Sequence, residues 1–402
     1  MLACRICDHE TPHFLGDHLA EAHCLSVDDY LVTHPGAETA SQTLLDRLAA
    51  ETPNRRRAAP PSPDALCVEI GPLSFPVNAD VPEDACLPCP PEYRLPKHGA
   101  LATVISSMLI ALWRHRSIYA WGLPGSGKDA LFHYFSWATR TPAIIRQVQP
   151  GSDVEAWFFS RGFDANGTVW EEGTVLKALR DGYMTENGRR VPYMVLLSDL
   201  DRADRSQGEY MRLITDSISK RVQGPTGTHA VLPGTRIVST ANTAGSGDER
   251  GRCTSASPID ASLLERFDVR RQFPWMDWAD EGPIVQAKFP FLMERCPGVF
   301  DTMGNITRSV RSAINNDELY AEFSHRALCS ILMHAEDMIL ANGDRAIPKG
   351  FMASAAKVWT EGLPDKDTRL AAEKLLDPHL KGGTLGTQTP IGKSTDPLAN
   401  FS

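Results

Sequence analysis

The run Gly122-Leu-Pro-Gly-Ser-Gly-Lys128 constrains this chain more than any other feature, because it lies where an apolar segment, Ser117-Ile-Tyr-Ala-Trp121, gives way to a helical one. Glycines at this spacing let successive backbone N–H groups face one anion, and the closing lysine reaches the same charge. Such a turn belongs between a buried strand and the helix that follows it. Three further short runs, Ala143-Ile-Ile-Arg-Gln-Val148, Tyr193-Met-Val-Leu-Leu197 and Thr235-Arg-Ile-Val-Ser-Thr-Ala241, are apolar or β-branched and separated by helical stretches. That alternation predicts an α/β fold: a three-layer domain around a largely parallel sheet. Ahead of the turn, Leu101, Val104, Ile105, Met108, Leu109, Leu112 and Trp113 recur at helical spacing and predict an amphipathic helix.

After Pro274 the strand signals stop, and residues 327–340 keep helical periodicity, so an α-helical lid is expected over 275–380. The α/β domain is placed at 66–274. Before it, the Pro- and Arg-rich stretch from Pro53 to Pro63 reads as part of a linker over 36–65, and a small Cys/His module occupies 1–35. Residues 381–402, rich in Gly, Thr, Pro and Ser, read as a disordered tail. No run approaches the ~18 apolar residues of a membrane span, and the first residues lack the apolar core of a signal peptide. A cytoplasmic setting with no membrane partner is expected, and nine cysteines there are read first as thiols or metal ligands rather than disulfides.

In the phosphate-loop pattern the residue after the lysine is a hydroxyl that holds Mg²⁺. Here it is Asp129. The second expected element is an apolar strand ending in two acids, one on the metal and one that orients the attacking water. The chain instead offers Ser198-Asp199-Leu-Asp201-Arg-Ala203 after Val195-Leu-Leu. Two registers are open. One puts Asp199 at the metal and leaves Leu200 at the catalytic position, which predicts binding without efficient hydrolysis. The other puts Ser198 at the metal and Asp199 at the catalytic position; it is preferred because it matches the residues that follow and because Ser198 then complements Asp129. Carboxylate and hydroxyl would have exchanged strands around one Mg²⁺, and the shorter catalytic acid predicts slow turnover.

These residues resemble the MoxR branch of AAA+ ATPases, and in particular CobS, the AAA+ subunit of cobaltochelatase, over roughly residues 95–340. Ser198-Asp-Leu-Asp-Arg-Ala203 is similar to that branch's Asp-Glu-hydrophobic-Asn/Asp-x-Ala, and residues 239–251, beginning Ser239-Thr-Ala-Asn242, resemble a CobS run ending in Gly-Asp-x-x-Gly. The resemblance implies ATP as ligand, with Gly122, Leu123, Pro124, Gly125, Ser126, Gly127, Lys128, Asp129 and Ala130 around its phosphates and Asn242 as the sensor 1 amide near the γ-phosphate. Leu263-Leu-Glu-Arg266-Phe267 is similar to the family's Leu-Asp-Arg-Phe, which makes Arg266 a candidate finger for a neighbouring subunit's nucleotide, with Arg270 and Arg271 as competitors and a helix-capping role as the plain alternative. Phe323-Ser-His-Arg326 resembles the Ser-Pro-Arg that opens the lid helix, so Arg326 is the sensor 2 candidate. The aromatics of residues 155–163 fall where the family places pore-facing loops, and core packing is the equal alternative. The family also implies a homo-oligomeric ring, usually hexameric, and a von Willebrand factor A-domain (CobT-like) partner.

At the start of the chain, Cys4, Cys7, His18 and His23 have the types and spacing of a tetrahedral Zn²⁺ site, with His9, His13 and Cys24 as spare candidates. The segment resembles a short Ros/MucR-type C2H2 zinc finger. Related fingers bind DNA, yet residues 1–40 carry seven acids against Arg5 alone, a balance of −6, which disfavours nucleic acid and favours protein docking. Cys67, Cys86 and Cys89, with His98, give only a weak hint of a second metal, and buried or surface thiols are the preferred account. A ring-forming ATPase that remodels a partner protein is the leading expectation; a cobalt-chelatase subunit and a non-hydrolysing nucleotide-gated scaffold or DNA-associated factor are the rivals.

Overall fold

A computed structural model describes residues 2–7, 10–11, 19, 23, 34, 37, 67–164, 167–215, 221–247, 256–342, 347 and 350–381. It divides into two units, residues 1–59 and 60–402. In the second unit five parallel strands form one sheet: β1 (Ile118–Trp121), β2 (Ala143–Gln147), β3 (Met194–Ser198), β4 (Arg236–Ala241) and β5 (Val269–Gln272), in the spatial order β5-β1-β4-β3-β2. Four match the apolar runs of the sequence. The fifth, β5, corrects the expectation of four: its Val-Arg-Arg-Gln carries no apolar run because it is an edge strand whose outer residues are exposed.

Both faces of the sheet are buried, which explains why its inner strands are apolar throughout rather than alternating. Met194 and Leu196 of β3 join Ile118 and Ala120 of β1 in a cluster with helices α1 (Gly99–Trp113) and α2 (Lys128–Thr139). Val195 and Leu197 point the other way, with Tyr119, to α3 (Thr174–Asp181), α4 (Arg205–Thr215) and α5 (Ala261–Leu264).

The helical part comprises α6 (Trp278–Lys288), α7 (Pro290–Arg295), α8 (Gly298–Asn315), α9 (His325–Ala341), α10 (Phe351–Thr360) and α11 (Lys366–Lys381), around its own core of Met303, Ile306, Phe323, Leu332 and Trp359. Asp277 caps α6 by accepting from Ala279 N–H, and Ser324 caps α9 by accepting from Ala327 N–H. The expected linker, apart from Ala37, and residues 382–402 lie outside the described residues.

Two antiparallel hairpins extend from the α/β part, Phe159–Asp164 with Gly167–Glu172 and Arg221–Gly224 with Gly227–Ala230. The 155–163 aromatics fall into two groups there. Phe158 and Phe159 are buried in the sheet-side core, and Phe159 packs so closely on the second hairpin that a Cβ at Gly224 would lie 2.0 Å from its ring. Phe163, near the hairpin's tip, is 83% exposed. Phe159→Ala is therefore expected to cost about 3–5 kcal/mol in urea denaturation, and Phe163→Ala to leave the midpoint unchanged.

Candidate nucleotide site

The turn between β1 and α2 owes its shape to glycine. Gly125 and Gly127 have φ of 71° and 89°, the left-handed region, and Gly127 is the N-cap residue of α2. At Gly125 a Cβ would stand 2.5 Å from Ser324 Cβ, so only glycine lets the loop approach the capping serine of α9. The helix N-terminus adds unpaired N–H groups and a partial positive charge at this point. Lys128 is buried, and its Nζ donates to Gly122 O at 2.7 Å, Leu123 O at 3.1 Å and Asn242 Oδ1 at 3.4 Å. The ammonium thus sits under the loop it would serve.

The strand ends bring the acids together. Ser198 is the last residue of β3, and its Oγ donates to Asp129 Oδ2 at 3.1 Å, while Thr240 Oγ1 of β4 lies 3.5 Å from the same hydroxyl. Asp129 Oδ1 and Ser126 Oγ are buried with no hydrogen-bond partner among the described residues. Orphaned oxygens in a lysine-bearing loop fit a cation and a phosphate. Asp199 follows in the left-handed region, φ 57°, which turns its carboxylate to accept from Gln147 Nε2 at 3.2 Å. Pro124 to Ala130, Gln147, Ser198, Asp199, Thr240 and Asn242 line a cleft of about 530 Å³, closed on the helical side by Glu281, Lys288, Arg311, His325 and Arg326.

Asn242 is held from behind. Asp201, fully buried, accepts at Oδ2 from Asn242 N–H and Thr243 N–H at 2.9 Å each and from Thr243 Oγ1 at 3.0 Å. Tyr119 Oη donates to Thr243 O at 2.8 Å from the opposite side. Burial raises the Asp201 carboxyl, and those donors offset part of the rise. The sequence gives Asp201 only as a letter in a motif; its contact 41 residues away in sequence is a product of the β3–β4 pairing.

On the helical side, buried Glu281 of α6 takes Arg311 on both oxygens, at 2.5 and 3.1 Å, and His325 Nδ1 at 2.9 Å. Arg311 also donates to Phe323 O and Met276 O, which ties α8 to the segments entering α6 and α9. Burial alone would raise the Glu281 carboxyl, but His325 and Arg311 hold it below the ordinary carboxylate value. Burial would lower the His325 imidazole, yet hydrogen bonds to Cys329 and Glu281 raise it to about 9 against the neighbouring Lys288 ammonium. None of Glu281, Arg311 or His325 was assigned a role from sequence; the histidine in place of a proline was the visible signal.

Arg266 lies outside this cleft. It follows α5, and its Nη1 is 3.4 Å from Arg212 O near the end of α4, the contact of a helix cap. Arg271 donates to Ser107 Oγ on α1, and Arg270 is exposed on β5. In the first unit, Cys4 Sγ and Cys7 Sγ lie 3.6 and 3.3 Å from His23 Nε2, three donors within 4.8 Å of one another. His18, His9, His13 and Cys24 lie outside the described residues. The second cysteine group agrees with the reading of buried and surface thiols: Cys86 is buried with its thiol toward Pro82 O and pushed up to about 11 by burial, Cys89 packs on the α1–α2 core, Cys67 is exposed, and His98 Nδ1 is bonded to Asp280 at 2.8 Å.

No protein-family model matches the chain, and no curated protein matches it. Among solved structures, the Thermotoga maritima RuvB Holliday junction branch migration motor aligns with a TM-score of 0.42 at 13% identity, over 67% of this chain and 73% of that one. A Cytophaga hutchinsonii protein described as a putative ATPase aligns with a TM-score of 0.33 at 13% identity, over 68% and 88%. The fold class stands on the molecule's own features: a glycine loop between β1 and α2, a five-stranded parallel sheet and a C-terminal helical part make this a P-loop AAA+ α/β domain followed by a helical lid. No helix among the described residues is long and apolar enough to cross a membrane.

With its folded value near 9 rather than 6.5, His325 stabilises the fold fully below pH 6.5 and loses that contribution as pH rises through 9. The thermal midpoint is expected to fall between those limits, and His325→Gln to flatten the dependence, measured by circular dichroism across the range.

Proposed function

We propose that this chain is an ATPase that binds Mg²⁺-ATP in the cleft between the sheet ends and the helical lid and hydrolyses it slowly. The Ser198–Asp129 hydrogen bond beside Lys128 carries the proposal. It supports the register in which Ser198 and Asp129 hold Mg²⁺, and the orphaned Asp129 Oδ1 fits a cation ligand. When bound, the ion would neutralise charge on the transferring phosphoryl group.

The chain's own residues supply the rest. Backbone N–H groups of residues 122–130 and the Lys128 ammonium bind the phosphates. Lys128 must exchange its loop carbonyls for phosphate oxygens, a short swing of a flexible side chain. Asn242, fixed by Asp201, presents an amide that orients water and the γ-phosphate. Asp199, aimed by its left-handed backbone and by Gln147, takes the proton of that water. Arg326, exposed at the start of α9, reaches the phosphates when the lid closes.

The sequence resemblance implies a homo-oligomeric, hexameric ring of the MoxR/CobS kind acting on a client protein, with a von Willebrand factor A-domain protein as the partner type; in such a ring Arg266, outside its own cleft, would leave its cap contact to serve a neighbouring subunit's nucleotide. The three donors at Cys4, Cys7 and His23 fit Zn²⁺ with His18 as the fourth, and the acidic surroundings favour a protein over nucleic acid as what this module meets. Strict equivalence to a cobalt-chelatase subunit is the second reading, favoured by the residues 239–251.

Two measurements test this. Lys128→Ala should weaken ATP binding at least about 100-fold in calorimetry, and Asp199→Asn should keep binding while lowering steady-state phosphate release by about the same factor; wild-type protein that binds no ATP sinks the proposal, and binding without phosphate release leaves the scaffold reading. Metal analysis should find about one zinc per chain, lost on Cys4→Ser with ATP binding retained; a zinc content unchanged by that substitution contradicts the finger.

A further inference from the structure

One cluster in the lid has chemistry that nucleotide hydrolysis does not use. Glu281 of α6, His325 at the start of α9 and Cys329 one turn later form a carboxylate–imidazole–thiol line. Glu281 Oε1 accepts from His325 Nδ1 at 2.9 Å, and the carboxylate is itself fixed by Arg311, so the ring is oriented and its proton placed on Nδ1. Cys329 Sγ lies 3.4 Å from Nε2, which also carries a proton when the ring is charged. The i, i+4 spacing on one helix makes this approach a property of the backbone rather than of loop position.

We propose that Cys329 is a modification site, a thiol activated by the His325–Glu281 pair that reacts with hydroperoxides to give a sulfenic acid. His325 stands as the imidazolium, and its Nε2–H stabilises the thiolate left when Cys329 gives its proton to solvent. The thiolate attacks the terminal peroxide oxygen, the S–O bond forms as the O–O bond breaks, and the leaving hydroxide or alkoxide recovers a proton from the imidazolium. With hydrogen peroxide the thiol is oxidised to S–OH and the peroxide is reduced to water, so atoms and electrons balance.

Lys288 Nζ also lies 2.9 Å from Nε2, a second cation against the ring. Its side chain is exposed and long, so it can turn away from the charged ring toward solvent. Beyond Lys288, the charged groups around the ring are Glu281 and, through it, Arg311. Cys329 is half-buried against the lid core. Cys296, by contrast, is buried and its thiol is raised by burial, and Cys67 is exposed, so the chain carries its own controls.

The test uses the full chain at pH 7 with limiting hydrogen peroxide and a sulfenic-acid trap, each cysteine being read by peptide mass spectrometry. Cys329 is expected to be trapped at least about tenfold faster than Cys67, and His325→Gln to remove that advantage. Equal rates at Cys329 and Cys67 in the wild type overturn the proposal, as does an undiminished rate in His325→Gln. The wild-type comparison decides the matter even if the variant does not fold. None of these readouts requires ATP binding, so their failure is separate from failure of the nucleotide site.

Discussion

The hydrogen bond from Ser198 to Asp129 joins the end of the inner strand β3 to the first turn of the loop helix α2, and the cleft depends on that junction. A hydroxyl and a carboxylate 69 residues apart in sequence meet because β1 and β3 flank β4 in a parallel sheet, which brings their carboxyl ends to one rim. Lys128, Asn242 and Asp199 stand on the same rim. The site therefore needs the strand order before it needs any single side chain.

Glycine and buried ion pairs do the rest of the positioning. Left-handed Gly125 and Gly127 let the loop backbone turn inward and let Ser324 come close, so the sheet domain and the lid meet at the loop itself. Across the cleft, the Glu281–Arg311 pair is expensive to bury unless fully bonded. Here Arg311 also satisfies two backbone carbonyls, so the pair fixes three lid segments at once. A rigid lid of this kind gives Arg326 and His325 defined places, and it also creates the polarised setting around Cys329.

Much of the architecture was legible in the sequence because the inner strands are apolar on both faces: β1, β3 and β4 stand within a residue or so of the runs read from residue type alone. Strand β5 was not, since an edge strand with exposed arginines lacks that signal. The hairpins were missed because their alternating residues, such as Gly-Thr-Val-Trp-Glu-Glu, compete with no buried face. Residues 124–130, Ser198, Asp199, Asn242 and Arg326 were named from pattern and line one cleft, while Gly122 and Leu123 line a second that shares Asn242. The positioning groups Asp201, Glu281 and Arg311 were not assignable, because their partners are distant in sequence and their role exists only after folding.

The central claim is that Asp129 and Ser198 act as one unit toward Mg²⁺. A double-mutant cycle with Asp129→Asn and Ser198→Ala, read as the Mg²⁺ concentration that half-saturates ATP binding, tests it most directly. Shared coordination predicts a coupling energy of about 1–3 kcal/mol, the second substitution adding little once the first is made. Strictly additive effects, or ATP binding indifferent to Mg²⁺ in both single variants and the wild type, would contradict it.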